Sequence, residues 1–170
     1  VMAIAAKEHI ASAVVTVTDR PPVLVIRPNG GEVIPSGSVH TIQWIGTGAK
    51  YDLAYTLDNG SSYTTIARGA TGTSYDWAVP VPSGNATQCR VRIVSRNTSG
   101  KIIGTDISDA PFTIEVARLV SPNGGEVLRS GSTATVSWVT NRTSKTVNKV
   151  VLAYSTDNGS NWTTVATLST

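Results

Sequence analysis

The chain has 170 residues, of which 40% are hydrophobic and only 15% are charged, and its net charge is +3 with the lysines and arginines scattered along it. No basic cluster supports nucleic-acid binding, and no apolar run is long enough for a membrane span. The single cysteine, Cys89, excludes an intrachain disulfide. The length allows one or two domains, and low charge with many Thr, Val and Ser is typical of β-rich extracellular proteins.

The chain begins with short apolar segments rather than helices. Residues 11–18 read ASAVVTVT and are predicted to form a strand, and residues 20–22 hold a proline pair that predicts a short, stiff linker. From residue 23 to residue 117, apolar and polar residues alternate in short segments separated by Gly, Pro, Asn and Ser, which is the pattern of half-buried strands. The predicted inward-facing residues are Ile42, Trp44, Leu53, Tyr55, Tyr75, Trp77, Val79, Cys89, Val91, Ile93, Phe112 and Ile114.

This alternation predicts an all-β protein. Strands spaced by 8–12 residues, with no convincing amphipathic helix, predict an immunoglobulin-like sandwich of about seven strands. Trp44 and Trp77 are its predicted central packing residues. Cys89 is predicted to be a small apolar residue on the inner face of a strand, and Arg90 and Arg92 to lie on the outer face of that strand.

Several sequence motifs of the first 117 residues recur later in the chain. The sequence PNGGEV at residues 28–33 recurs 94 residues later at 122–127, and Trp44 recurs at the same offset as Trp138. The sequence DNGS at 58–61 recurs 99 residues later at 157–160, so the second copy has five additional residues, assigned to a polar surface loop at 141–145. We expect tandem immunoglobulin-like domains: a complete one at 23–117, the N-terminal half of a second at 118–170, and the closing strands of a preceding domain at 1–19.

The second copy, aligned to the first, contains no counterpart of the residues after Thr71. We therefore expect Val136 and Trp138 to be exposed to water. Two explanations stay open: the polypeptide continues, or a neighbouring copy donates strands. Residues 1–19 are the candidate donor in a head-to-tail assembly of the chain with copies of itself.

The repeated DNGS turn lies within a longer motif. Residues 155–162 match the Asp-box spacing S-x-D-x-G-x-x-W, which resembles the hairpins of sialidase-like propellers, where the Asp and Ser brace the turn. Residues 56–63 are a looser version that ends in Tyr63. A braced hairpin is the main interpretation, and the alternative is carbohydrate binding through the aromatic residues Tyr63 and Trp162.

Few other residues suggest chemistry. Asp106 and Asp109 are three residues apart and are weak calcium candidates, with a turn braced by their side chains as the favoured alternative. The only histidines are His9 and His40, and no nucleophile or zinc motif occurs, so we expect neither an enzyme active site nor another cofactor. Six asparagines begin N-x-S/T sequons and are either glycosylation sites or polar turns: Asn59, Asn85, Asn97, Asn141, Asn158 and Asn161.

One family resemblance follows from these motifs. The PNGGE segment, Gly37, the IQW sequence at 42–44, the Y-x-W-x-x-P sequence at 75–80 and DISDAPFTI at 106–114 resemble the immunoglobulin-like modules of the Ser/Thr-rich, GPI-anchored cell-wall protein family and its bacterial and archaeal surface-protein relatives. The resemblance implies secretion, a location at the cell surface or in the matrix, and repetition beside other domains. It implies no catalytic residues.

Two functions follow from this resemblance and the repeat. The leading hypothesis is a structural or adhesive segment of a large extracellular cell-surface, filament or surface-layer protein, whose partners are neighbouring domains of the array. The alternative is an accessory module of a secreted polysaccharide-degrading enzyme, with a polysaccharide as the partner.

Overall fold

The structure, a computed structural model, describes residues 21–169, and this part of the chain contains strands and no helix. The prediction for residues 1–19 therefore lies outside the described residues. The strands in chain order are β1 (Val23–Arg27), β2 (Val33–Pro35), β3 (Val39–Gly46), β4 (Lys50–Thr56), β5 (Thr64–Ala70), β6 (Ser74–Ala78), β7 (Ala86–Arg96), β8 (Ile102–Ile107), β9 (Phe112–Glu115), β10 (Ala117–Ser121), β11 (Ser137–Thr140), β12 (Lys149–Tyr154) and β13 (Thr163–Ser169).

The first nine strands form two sheets. One sheet has the antiparallel order β1-β3-β6, and the other has the order β2-β9-β7-β4-β5. The long strand β7 pairs with β9 near its start and with β8 along its second half, while β4 lies on its other side. Strand β2 runs parallel to β9, and the other pairs of these two sheets are antiparallel.

The core lies between these two sheets. The predicted alternation is confirmed in β7, where Cys89, Val91 and Ile93 are buried and the residues between them are not. Aromatic contacts link the sheets: the rings of Trp44 and Tyr51 are 5.2 Å apart in an edge-to-face arrangement, and Trp77 contacts Phe112 at 6.3 Å. Burial raises the pKa of the Cys89 thiol, as expected for a small core residue.

The prediction of seven strands was too low, because nine strands lie between Val23 and Glu115. Strand β2 has three residues, too few for a detectable alternation, and β5 reads TTIARGA without a period of two. Strand β8 contains Gly104, where a Cβ atom would lie 2.7 Å from the Cβ of Pro22. The glycine therefore allows close contact with the segment before β1, although glycine is a poor strand former.

The second copy repeats the local geometry of the first. Strands β10 and β11 pair as β1 and β3 do, and the register shift at Val25 recurs at Leu119. Strands β12 and β13 pair as β4 and β5 do, and the register shift at Leu53 recurs at Leu152. The Arg27–Pro28 and Ser121–Pro122 peptide bonds are both cis.

The two copies differ in burial. Of the residues from 117 to 169, none is buried. Ile42 is fully buried in the first copy, whereas its counterpart Val136 is 37% exposed; Ile34 is 2% exposed and its counterpart Leu128 is 59% exposed. The apolar inner face of the second copy is thus open within the part of the chain that the structure describes.

Candidate functional site

The PNGGE segment is a braced bend in both copies. The Glu32 carboxylate accepts hydrogen bonds from the backbone amides of Asn29 (2.7 Å) and Gly30 (2.8 Å). The counterpart Glu126 accepts the same two bonds, at 2.8 Å and 2.6 Å. Gly30 has φ = 138°, and a Cβ atom there would lie 2.5 Å from the Cβ of Ala110. The motif therefore requires its glycine and glutamate for backbone geometry, which accounts for its repetition without a ligand.

The two calcium candidates bond to different partners. Asp106 Oδ2 accepts a hydrogen bond from the backbone amide of Val25 (2.7 Å), at the register shift of β1. Asp109 forms a reciprocal pair with Asn29: its carboxylate accepts from the Asn29 side chain and its amide donates to Asn29 Oδ1, both at 2.8 Å. Residues 21–169 hold no group of three or more His, Cys, Asp or Glu side chains that could bind a metal. Calcium binding stays a prediction, and the observed bonds are those of a braced turn.

Ser108 lies between these aspartates in the sequence, and its side chain links the bend after β1 to strand β7. Its buried hydroxyl donates to the carbonyl of Pro28 (2.8 Å) and accepts from the amide of Val91 (2.9 Å). The motif thus joins the PNGGE bend to the centre of β7. No sequence signal separates this role from calcium ligation, because both use Asp and Ser side chains in a turn.

The Asp-box hairpins of the two copies have the same hydrogen bonds. Asp157 accepts from the hydroxyl of Ser155 (2.7 Å) and from the amide of Asn161 (2.8 Å). In the first copy, Asp58 accepts from the hydroxyl (2.6 Å) and the amide (2.9 Å) of Ser62 and from the hydroxyl of Thr56. These bonds stabilise the charged carboxylates and lower both aspartate pKa values to about 2.

The aromatic residues that end these hairpins have different surroundings. The Arg92 guanidinium carbon lies 3.8 Å from the centroid of the Tyr63 ring, so β7 covers one face of this half-buried ring. Trp162 is 64% exposed, and its indole Nε1 donates to the carbonyl of Gly159 (3.0 Å). Of the two predicted sugar-stacking residues, Trp162 has the more accessible ring.

The junction between the copies contains side chains that sequence reasoning did not identify as a group. Only Val116 separates β9 from β10. The Asn85 carboxamide oxygen accepts from the amides of Val116 (2.7 Å) and Ala117 (2.9 Å), and its nitrogen donates to the Ala117 carbonyl (2.7 Å). Glu115, which is 7% exposed, accepts from Arg118 Nε at 2.9 Å. The first copy therefore holds the backbone that enters the second.

The five additional residues of the second copy also lie at this junction, so their assignment to a free surface loop was incomplete. Asn141 donates from its backbone to the carbonyl of Val116 (2.6 Å) and from its side chain to the carbonyl of Glu115 (2.9 Å). The amide of Ser144 donates to the carbonyl of Pro82, in the loop between β6 and β7, at 3.1 Å. We call Asn85, Glu115, Val116, Asn141 and Ser144, with their partners, the junction.

Gly37, in the turn between β2 and β3, allows the loop at 141–145 to come close to the first copy. A Cβ atom at Gly37 would lie 2.6 Å from Cδ of Arg142, and its φ of 71° is in the left-handed region. In the second copy the counterpart Gly131 also has a positive φ, and nothing lies within 4 Å of its Cβ position. The glycine is therefore needed for the turn in both copies and for the contact in the first copy alone.

The six sequon asparagines fall into two groups according to whether the side-chain nitrogen donates a hydrogen bond. This nitrogen is the atom to which a glycan would attach. The nitrogens of Asn85 and Asn141 donate within the junction, and that of Asn161 donates to Asp157 at 2.6 Å. Among the described residues, the nitrogens of the other three have no hydrogen-bond acceptor: Asn59, Asn97 and Asn158. Glycosylation stays a prediction, and these last three are the sites where a glycan would displace no such bond.

Comparisons with known proteins give weak structural similarity and no family. No protein-family model matches the chain, and no curated protein matches it. Among solved structures, the chain is similar to the fibronectin(III)-like modules of Clostridium thermocellum CbhA, with 14% sequence identity over 55% of this chain and 95% of that chain and a TM-score of 0.40. This similarity is too weak to support an argument about function. The described residues also include no helix that is long and apolar enough to cross a membrane.

Proposed function

We propose that this chain is a structural segment of a secreted cell-surface, filament or surface-layer protein, in which tandem immunoglobulin-like modules act as spacers or assembly units. The observation that carries the proposal is the junction, where one residue separates the last strand of the first copy from the first strand of the second. Side chains from both copies, Asn85 and Asn141, bond to the backbone of this connection.

A spacer must hold each module at a fixed orientation relative to the next. A flexible Gly/Ser linker would leave the angle between modules free, because its residues keep their backbone freedom. Here the connecting residue Val116 has both its amide and its carbonyl hydrogen-bonded, to Asn85 and Asn141 respectively. The loop at 141–145 adds a third contact at Pro82, away from the connection itself. Contacts at separated points restrain rotation as well as bending.

Assembly between copies is the second part of this proposal. The inner face of the second copy exposes Leu119, Val136 and Tyr154, residues whose counterparts in the first copy pack in or against the core. An apolar face of this kind requires a cover, which is either more of the same polypeptide or strands from a neighbouring copy.

Electron microscopy of native material tests the assembly part. We expect filaments or lattices with a repeat set by the module length. A full-length protein that is strictly monomeric and extended would contradict assembly, although it would leave the spacer role intact.

A second candidate function is supported by the exposure of Trp162. An indole ring that is 64% exposed on a braced hairpin is suited to stacking on a sugar ring, as in an accessory carbohydrate-binding module. Binding to a polysaccharide panel should then be lost in Trp162→Ala and retained in Tyr63→Ala, because Arg92 already covers one face of Tyr63. Equal binding by the unmodified chain and Trp162→Ala would exclude this function for the hairpin.

A further inference from the structure

The outer face of the larger sheet contains a hollow of about 160 Å³ that the spacer role does not use. It lies over the small side chain of Ala54 on β4. Its wall includes Thr65 and Arg68 from β5, Arg92 from β7 and Ile102 from β8. The hollow belongs to the first copy and lies away from the junction residues.

Within residues 21–169, two arginines of this hollow, Arg68 and Arg92, form no salt bridge. The Arg92 side chain stacks on Tyr63 and makes no hydrogen bond with the described residues, and its Nε atom is buried without an acceptor. The Arg68 side chain is exposed and likewise makes no hydrogen bond with the residues at 21–169, and its charge contributes to lowering the pKa of Asp52. A guanidinium that stacks on an aromatic ring keeps its in-plane N–H donors available, and their fork geometry matches carboxylate and sulfate oxygens.

The third arginine of the hollow is neutralised in place. Arg96 Nε donates to Asp52 Oδ2 at 2.8 Å, and the amide of Gly69 donates to Asp52 Oδ1 at 2.9 Å. Burial is the largest single influence and raises the pKa of Asp52. The hydrogen bonds from Arg96 and the Gly69 amide, together with the charges of Arg96 and Arg68, outweigh it, so the pKa of this carboxyl is lowered. The hollow therefore contains unpaired cationic donors together with one ionised carboxylate that can accept hydrogen bonds.

The second copy shows that the fold does not require these charges. Its hairpin of β12 and β13 keeps Ala153 and Thr164 at the positions of Ala54 and Thr65. It has Val151 at the position of Asp52 and Thr167 at the position of Arg68. The same strand pairing forms without the charged side chains, so pairing of the strands is not what demands them.

We propose that this hollow binds an acidic sugar unit of an anionic polysaccharide. Arg68 and Arg92 bind the carboxylate or sulfate group, and Ile102 contacts the apolar face of the ring. Asp52 accepts hydrogen bonds from sugar hydroxyls, and the Thr65 hydroxyl donates to them or accepts from them. The Asp52 carboxylate would not bind a simple inorganic anion, because both are negatively charged. A sugar that carries both an acid group and hydroxyl groups matches the arginines and the carboxylate of the hollow. This proposal stands independently of the spacer role.

The test uses the full 170-residue chain and two polymer probes, polygalacturonate for carboxylates and dextran sulfate for sulfate esters, with neutral dextran as the reference. We compare Arg68→Gln and Arg92→Gln with Arg27→Gln, which removes the same charge from an exposed position on the other sheet. Binding to at least one anionic polymer should weaken about tenfold or more in Arg68→Gln and Arg92→Gln, because charge-assisted hydrogen bonds are lost, and stay near the unmodified value in Arg27→Gln.

Each outcome decides the proposal. Selective loss on polygalacturonate supports a carboxylate ligand, and selective loss on dextran sulfate supports a sulfate ester. Equal weakening in all three variants would reveal general charge attraction and overturn the site, as would the absence of binding to either polymer. Arg68 is exposed and unbonded, so Arg68→Gln is expected to fold normally, and its result stands even if Arg92→Gln is destabilised.

Discussion

Substituting Asn85 with alanine should loosen the junction by an amount that the structure allows us to estimate. The side chain makes three hydrogen bonds to the junction backbone, two as acceptor and one as donor. A buried hydrogen bond contributes a net stability of about 1 kcal/mol, and a bond from an exposed side chain such as Asn85 contributes less. We therefore expect the loss of all three bonds to lower local stability by roughly 1–2 kcal/mol. At about 1.4 kcal/mol per factor of ten, the opened junction becomes about tenfold more populated.

Amide hydrogen exchange measured by NMR gives a direct assay of this loss. The amides of Val116 and Ala117 should exchange about tenfold faster in Asn85→Ala, because their acceptor is gone. The matched control is Asn85→Asp, which keeps the acceptor oxygen and loses only the donor to the Ala117 carbonyl. Equal acceleration in both variants, or no acceleration in Asn85→Ala, would refute the assignment of Asn85 as the acceptor that holds the junction.

Two further predictions concern the core and the hairpin. Ile42→Ala should destabilise the first copy by about 2–5 kcal/mol in denaturant unfolding followed by tryptophan fluorescence, whereas Val136→Ala at the open counterpart should cost under about 1 kcal/mol. Similar losses would mean that the inner face of the second copy is packed. The folded-state pKa of Asp58, about 2, lies below its usual 3.8, so its contribution to stability is present above about pH 4 and is lost as the pH falls toward 2. Carboxyl-carbon NMR should show this titration. Ser62→Ala should raise the pKa of Asp58, because the hydrogen bond from the Ser62 hydroxyl contributes most to the shift. An Asp58 pKa at its usual value in the unmodified chain would contradict the hydrogen bonds assigned to this hairpin.

Local patterns predicted the inner faces of the strands well. The alternation of Cys89, Val91 and Ile93 was sufficient to assign the buried face of β7, because period-two burial is a property of the strand alone. The register of a strand against its neighbours is a property of the whole sheet. For that reason the stacking of Arg92 on Tyr63 could not be predicted: it depends on β4 pairing with both β7 and β5.

The junction escaped prediction for a related reason. The sequence identified the five additional residues at 141–145 by comparing the repeats, and their polarity indicated a surface loop. Polar residues at a contact between modules have the same composition as polar residues facing water, since both satisfy backbone groups with side-chain amides and hydroxyls. The sequons held a partial signal, because two of the six, Asn85 and Asn141, are junction residues.

The distance between the two copies tests the central claim most directly. Spin labels at Thr71→Cys and Thr156→Cys lie on exposed positions of the first and second copies, and the native Cys89 is buried. Double electron–electron resonance on the full chain should give one narrow distance distribution, which broadens when Asn85 and Asn141 are both replaced by alanine. A distribution that is already broad in the chain with the native junction would contradict a rigid connection between the copies.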